Sequence, residues 1–397
     1  MPAGPLPLEG LLVADFSRIL AGPLCTMMLA DAGARVIKVE EPRRGDETRR
    51  WGPPFAEGES AYYLSVNRNK ESIAIDLRAG EGQEIARRLV ERADVVVHNF
   101  LPAQQEKLRL RAEDVKAMHP RVIYCAISGF DPDGHDRERP GFDLLAQAAG
   151  GLMAITGTED GEPTKIGVAL SDVLTAHHAH GAICAALVHR EKSGEGSVLE
   201  VSLLGSTIAS LINVGQAYLL TSREPKRLGN AHPAIVPYEA FRGADGASFV
   251  VAAASDRQYE RLCRDVLGEP RLCDDERYVT NALRVTHRRE LIEALQERFV
   301  TRSASEWIER CRAAGIPAAA VASMEEIFAP GPSDPTITID HPTIGALRMA
   351  RSPVVRDGVR PADASPPPRL GEHTDSVLAE LGYSEPQIAD LSTRGIL

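Results

Sequence analysis

Leu11-Leu-Val-Ala-Asp-Phe16, Pro23-Leu-Cys-Thr-Met-Met-Leu-Ala-Asp-Ala32 and Arg35-Val-Ile-Lys-Val39 follow one another at the start of the chain. An apolar β-branched run, an amphipathic helical stretch and a second apolar run at this spacing make a βαβ unit, which implies parallel strands. The alternation continues. Ser72–Leu77, Asp94–His98 and Arg121–Ile127 read as strands, and Gly82–Arg92 and Ala112–Met118 read as helices. Strands this apolar, separated by helices, belong to an α/β doubly wound sheet covered on both faces.

Downstream, Val173–Arg190 reads as a long helix rich in Ala and His, Ser197–Leu203 as a strand and Ser206–Leu220 as another apolar helix. Beyond Glu224 the character changes. Tyr238–Ala254 carries the turn Gly243-Ala-Asp-Gly246 between two β-rich runs, a hairpin signal, and helices follow at Arg257–Val266, Arg288–Val300 and Ser305–Ala314. The expected organisation is a large domain over 1–200, a linker helix over 201–225, a smaller α+β domain over 226–325, and a return to the large domain over 326–397. That last part holds a second hairpin, Thr336–Asp340 with Ala346–Met349, a Pro-rich stretch from Pro361 to Pro368 and two short helices.

Among 397 residues, 43% are hydrophobic and 25% charged, a globular composition with room for two or three domains. The first residues lack the basic start and apolar core of a signal peptide, and no run approaches the roughly 18 apolar residues of a membrane span, so a cytoplasmic protein without a membrane partner is expected. Six scattered cysteines without Cys-x-x-Cys spacing suit reduced thiols. A net charge of −11 argues against nucleic acid as partner but leaves room for a local basic cluster that binds a small anion.

The first β–α turn reads Arg18-Ile-Leu-Ala-Gly-Pro23, so the dinucleotide-binding glycine fingerprint is absent. A doubly wound sheet still receives its ligand at the carboxyl ends of its strands. Arg18, Arg78, Asn99 and Lys107 all follow predicted strands, which makes them candidates as a group although each singly reads as a solvated surface residue.

Several stretches then carry a family resemblance: Val13-Ala-Asp-Phe-Ser-Arg-Ile-Leu-Ala-Gly-Pro23, Asn67-Arg-Asn-Lys-Glu-Ser72, Ala93-Asp-Val-Val-Val-His-Asn-Phe100, Arg139-Pro-Gly-Phe-Asp143, Lys165-Ile-Gly-Val-Ala-Leu-Ser-Asp172 and Leu370-Gly-Glu-His-Thr-Asp375. The chain resembles the family III CoA-transferases, which include formyl-CoA transferase and carnitine CoA-transferase, and more distantly α-methylacyl-CoA racemase. The resemblance implies a Rossmann-like large domain built from both ends of the chain, a small domain from its middle, and a homodimer of interlocked subunits. It implies coenzyme A as part of an acyl-CoA substrate, a small carboxylic acid as second substrate, and no tightly bound cofactor or metal. Asp172 falls on the family's catalytic aspartate, a nucleophile toward a thioester. By the same correspondence Arg18, Leu20, Ala21, Ile75, Arg78, Asn99, Phe100, Lys107 and Leu108 would line the CoA site, and Phe142, Asp143 and His232 would lie near the substrate.

Other readings stay open at this stage. A Ser-Asp pair before an apolar run is also an ordinary helix cap, and at a helix start amides and dipole would keep Asp172 ionised at neutral pH. Phe142 stands where the racemase branch has a basic His, and a phenyl ring cannot abstract a proton. His177 and His180, at i, i+3, could hold a metal with a third ligand or pack in a core. A non-catalytic CoA-binding protein is opposed only by Asp172. His232 and Arg227 could supply a positive handle for a second carboxylate, with succinyl-CoA a plausible donor.

Overall fold

A computed structural model describes residues 6–358 and 364–397; Pro361, with which the Pro-rich stretch begins, lies outside the described residues. The chain divides into two units. One comprises residues 1–153, 165–223 and 335–397, the other residues 154–164 and 224–334. The second unit thus takes a short segment from ahead of the long central helix, and its longer part runs past the sequence-read boundary at 325.

In the first unit, six strands form one sheet: β1 Leu12–Asp15, β2 Arg35–Glu40, β3 Lys70–Ala74, β4 Val95–His98, β5 Ile123–Ser128 and β6 Ser197–Ser202. All neighbours are parallel and the spatial order is β3-β2-β1-β4-β5-β6. Successive side chains alternate between faces. Val13, Val36, Val95 and Ile123 meet helix α1 (Ala21–Asp31) on one side, while Ala14, Ile37, Val96 and Tyr124 join the opposite core with α2 (Gly80–Val90). The connections also hold helices that the periodicity does not predict, among them α3 (Pro102–Leu108), opened by a proline suited to the first turn, and α5 (Asp143–Ala149); α4 (Ala112–Met118) lies between them where the periodicity puts it.

The long helix α6 runs Leu170–Ser193, starting three residues earlier than its apolar pattern. The apolar segment expected as one helix is two, α7 (Leu203–Ala209) and α8 (Ile212–Thr221), bent by 74°. Among the described residues no single helix is long and apolar enough to cross a membrane. The terminal helices α9 (Thr374–Glu380) and α10 (Glu385–Thr393) return to the α2 face, with Val377, Leu378 and Ile388 in its core.

The second unit is built on an antiparallel sheet in which Ser248–Ala252 lies between Tyr238–Arg242 and Ala318–Ala320. Its core is aromatic. Phe241, Phe249 and Phe299 cluster with Trp307, whose indole N–H donates to the Phe299 carbonyl at 2.6 Å.

Candidate active site

In a sheet of this order the strand sequence reverses between β1 and β4, so their following loops part and leave a crevice. The two loops are nevertheless clasped. Asn99 accepts the Arg18 N–H at 3.1 Å and donates its amide to the Arg18 carbonyl at 2.8 Å. Beneath the clasp lies an unusual amount of charge for a protein interior. Asp15, Lys38, Asp46 and Lys70 are each 3% exposed or less. Lys38 pairs with Asp46 at 2.9 Å and Lys70 with Asp15 at 3.2 Å. Burial alone would neutralise these groups, yet the paired ammoniums hold the Asp15 carboxyl below its usual range and Asp46 down to about 2.

Asp172 sits in the first turn of α6, but it does not cap the helix: the cap position is Ala169, which makes no side-chain hydrogen bond. Asp172 lines a cleft together with Ala21, at the start of α1, whose backbone N–H favours its charged form. Burial raises its pKa first and the nearby Asp143 charge second, and together they outweigh the Ala21 hydrogen bond and push it up to about 7. The expectation of a carboxylate fully ionised at neutral pH is therefore corrected. A helix terminus contributes less than the desolvation of a charge with no cation beside it.

Asp143 is held at the start of α5. It accepts the Ser171 N–H at 2.8 Å and the Gln147 side-chain amide at 2.8 Å, while Gln147 in turn accepts the Ile166 N–H at 2.9 Å. These bonds fix the α5 and α6 starts against each other and keep two carboxylates close. Tyr62 belongs to the same neighbourhood; burial first, then the charges of Asp172 and Asp143, push its hydroxyl up to about 12. Nothing in its sequence context signals this, because only the fold brings Tyr62 near Asp172.

Two clefts flank the Arg18 loop. The first, about 700 Å³, is lined by Arg18, Ala21, Asn99, Phe100, Phe142 and Asp172. The second, about 730 Å³, contains Arg18, Ile75, Arg78, Phe100, Lys107 and Leu108. Arg18, Phe100 and Gln104 line both, so the clefts adjoin along these side chains. Leu20 and Asp143 line neither. Arg43, Arg44 and Arg50 add cationic groups to the second cleft that the sequence reading did not single out.

Phe100 owes its position to a buried histidine. The Nδ1 of His98 accepts the Phe100 N–H at 3.1 Å, so its Nε2 carries the proton toward Tyr124 Oη at 2.6 Å, and Tyr124 donates to the Leu110 carbonyl at 2.9 Å. Burial pushes His98 down to about 3 and keeps it neutral. Arg18 bonds Glu47 at 2.7 Å, while its buried Nε makes no hydrogen bond. Arg78 is exposed and leans on Asp76 at 2.8 Å.

His232 and Arg227 lie in the second unit. Arg227 is engaged by the carbonyls of Ala154, Thr158 and Gly161, at 3.3, 3.4 and 2.7 Å. The His232 ring packs 5.2 Å from Tyr238, and its Nδ1 accepts the Ala234 N–H at 3.1 Å. Both sets of bonds serve the local structure of that unit. On α6, His180 approaches Cys184 Sγ at 3.9 Å, and no three His, Cys, Asp or Glu side chains among the described residues group as a metal site.

The model for "CoA-transferase family III" matches residues 8–374. The chain belongs to this family. It is an enzyme, a CoA-transferase. It is 41% identical to human succinyl-CoA:glutarate CoA-transferase over 98% of this chain and 90% of that protein. It is also 41% identical to succinate–glutarate CoA-transferase of Agrobacterium fabrum over 96% of this chain and 97% of that one. A crystal structure of a CAIB/BAIF family protein from Brucella suis superposes with a TM-score of 0.82 at 39% identity, covering 95% of this chain and all of that one.

Proposed function

We propose that this CoA-transferase moves coenzyme A between small dicarboxylates, with succinyl-CoA as a donor and Asp172 as the covalent nucleophile. The carrying observation is a half-buried carboxylate without a cation partner at the edge of a cleft that shares Arg18 and Phe100 with an arginine-lined cleft. The relatives named for succinyl-CoA with glutarate, and one of Chloroflexus aurantiacus named for D-citramalate, support dicarboxylate substrates.

An Asp172 oxygen attacks the thioester carbonyl and the C–S bond breaks, giving a mixed anhydride and CoA thiolate. The thiolate attacks the Asp172 carbonyl carbon and expels the donor carboxylate, which leaves an aspartyl-CoA thioester. The acceptor carboxylate attacks that thioester, forming a second anhydride and releasing thiolate. Attack of the thiolate on the acceptor acyl carbon yields the new acyl-CoA and restores Asp172. Desolvation makes the carboxylate a stronger nucleophile than one in water, and the Ala21 N–H is placed to steady developing negative charge. In the second cleft the unpartnered Arg18 Nε, with Arg43, Arg44, Arg78 and Lys107, would pair with the phosphates of CoA, while Ile75, Phe100 and Leu108 supply apolar contact. Leu20 and Ala21 shape the turn, Phe142 faces the first cleft without a basic group, and Asp143 tunes Asp172. No racemase base is present at Phe142.

The reading includes a homodimer. No residue of the apolar helix α8 is buried, and Ile212, Leu219 and Leu220 are 75–76% exposed.

The test is to incubate the protein with succinyl-CoA, trap with hydroxylamine or borohydride, and map the modified residue by mass. A label on Asp172, and turnover lower by ~10³-fold or more in Asp172→Ala, are expected. A label elsewhere, or full turnover by Asp172→Ala, would discard the nucleophile.

A further inference from the structure

The loop that carries Arg18 to Ala21 contains a backbone conformation it would not adopt unaided. Ile19 has φ of 74°, in the left-handed region, where a β-branched side chain crowds its own carbonyl. What holds it there is Asp46. Its two carboxylate oxygens accept the Ile19 N–H at 3.1 and 3.3 Å. Asp46 is fixed in turn by Lys38 Nζ at 2.9 Å and by the Thr48 N–H and hydroxyl at 2.9 and 2.7 Å. Lys38 also donates to the Ser17 carbonyl at 2.9 Å, so one buried ion pair grips the loop on both sides of Arg18. Only Leu20 separates Ile19 from Ala21, which lines the first cleft together with Asp172 and whose N–H favours the charged form of that carboxyl.

We propose that Asp46 is a positioning residue for Asp172: by holding Ile19 in the left-handed conformation it aims the Ala21 N–H at the nucleophilic carboxylate. Asp46 lies on a different loop, is fully buried, and makes all its hydrogen bonds to protein atoms away from Asp172. Its influence therefore passes through the backbone of residues 19–21. The inference rests on Asp172 as nucleophile. The groups that set Asp172 are the Asp143 carboxylate at the start of α5, the Ala21 N–H at the start of α1 and burial; Tyr62 stands within reach of both carboxylate charges. Losing the N–H removes the one group that favours the charged form.

The experiment compares Asp46→Ala, Asp46→Asn and the double variant Asp46→Leu with Lys38→Met in the full chain. The double variant leaves no unpaired buried ammonium, which guards against a variant that fails to fold. Asp172 is titrated directly by infrared spectroscopy, its carboxyl band assigned by its loss in Asp172→Asn, and kcat and KM are measured from about pH 6 to about pH 9. In Asp46→Ala and the double variant, Asp172 should titrate about one pH unit higher. The kcat should fall about fivefold near pH 7 and recover by about pH 9, with KM for acyl-CoA little changed, since a higher pKa depletes the ionised nucleophile only below it. Asp46→Asn, whose amide oxygen still accepts from Ile19, should stay close to wild type. An unmoved Asp172 titration, a loss of kcat uniform across pH, or an Asp46→Asn shift as large as that of Asp46→Ala would each overturn the proposal. Full turnover by Asp172→Ala would instead sink the nucleophile reading, and the infrared titration would still decide whether Asp46 sets the Asp172 environment.

Discussion

Two regions of the first unit invert the usual distribution of residues in opposite senses. Under the Arg18 loop, Asp15, Lys38, Asp46 and Lys70 are charged and buried; along α8, Ile212, Leu219 and Leu220 are apolar and exposed. The first region closes on itself, because each charge has a partner of opposite sign within the same fold. The second does not: no residue of α8 is buried. Buried charge is thus tolerated where it shapes a loop, while exposed apolar surface on α8 finds no cover within its own fold.

The comparison breaks most easily at Lys70. Lys70→Met leaves Asp15 buried without its ion pair, and the expected loss is about 3–5 kcal/mol of unfolding free energy by urea denaturation. An unchanged midpoint would show that Asp15 is neutral or solvated in the folded chain. The exposed side breaks with Leu219→Glu and Leu220→Glu together: light scattering should report the monomer mass where the parent gives the dimer, with the far-ultraviolet circular dichroism of each chain retained. A monomeric parent would remove the dimer from the proposal.

Asp172 lies between the two extremes, half-buried and without a cation, and it should make stability depend on pH. Its folded pKa of about 7 lies above the ordinary 3.8, so its contribution is full below 3.8 and is lost as pH rises through about 7. Asp172→Asn, which lacks that ionisation, should be more stable than the parent by about 1–3 kcal/mol at pH 8 and differ less at pH 4. Equal stability at both values would mean that Asp172 is better solvated than its surroundings indicate. The smallest effect belongs to Arg78, exposed and leaning on Asp76. Arg78→Ala should raise KM for acyl-CoA about three- to tenfold, less at high salt, and leave kcat unchanged. A matching fall in kcat would place Arg78 closer to the reacting end than its cleft suggests.

Much of the sheet was legible because strand apolarity and helical spacing are local properties. Even there, contacts moved boundaries. The strand read as Ser72–Leu77 begins at Lys70, since the Lys70 side chain reaches inward to Asp15, and a buried lysine breaks the apolar pattern by which a strand is recognised. The break between α7 and α8 was hidden because apolar residues continue through it. In the site, Asp172 and the loop residues Arg18, Ala21, Asn99 and Phe100 stood out by motif. Tyr62 and the arginines of the second cleft carried no signal, and nothing local gave Asp46 or His98 its role, because Ile19 is 27 positions from Asp46, Tyr124 is 26 from His98, and the cleft exists only when strands align.

By itself the sequence determined the family, the parallel sheet and the aspartate proposed as nucleophile, since motifs and hydrophobic period are written in neighbouring residues. Only the tertiary structure decided that Asp172 rests near pH 7, that an inward ion pair bends Ile19 into place, and that Arg18 stands between two clefts. Those depend on desolvation and on charges brought together from distant parts of the chain, quantities that no local pattern of residues contains.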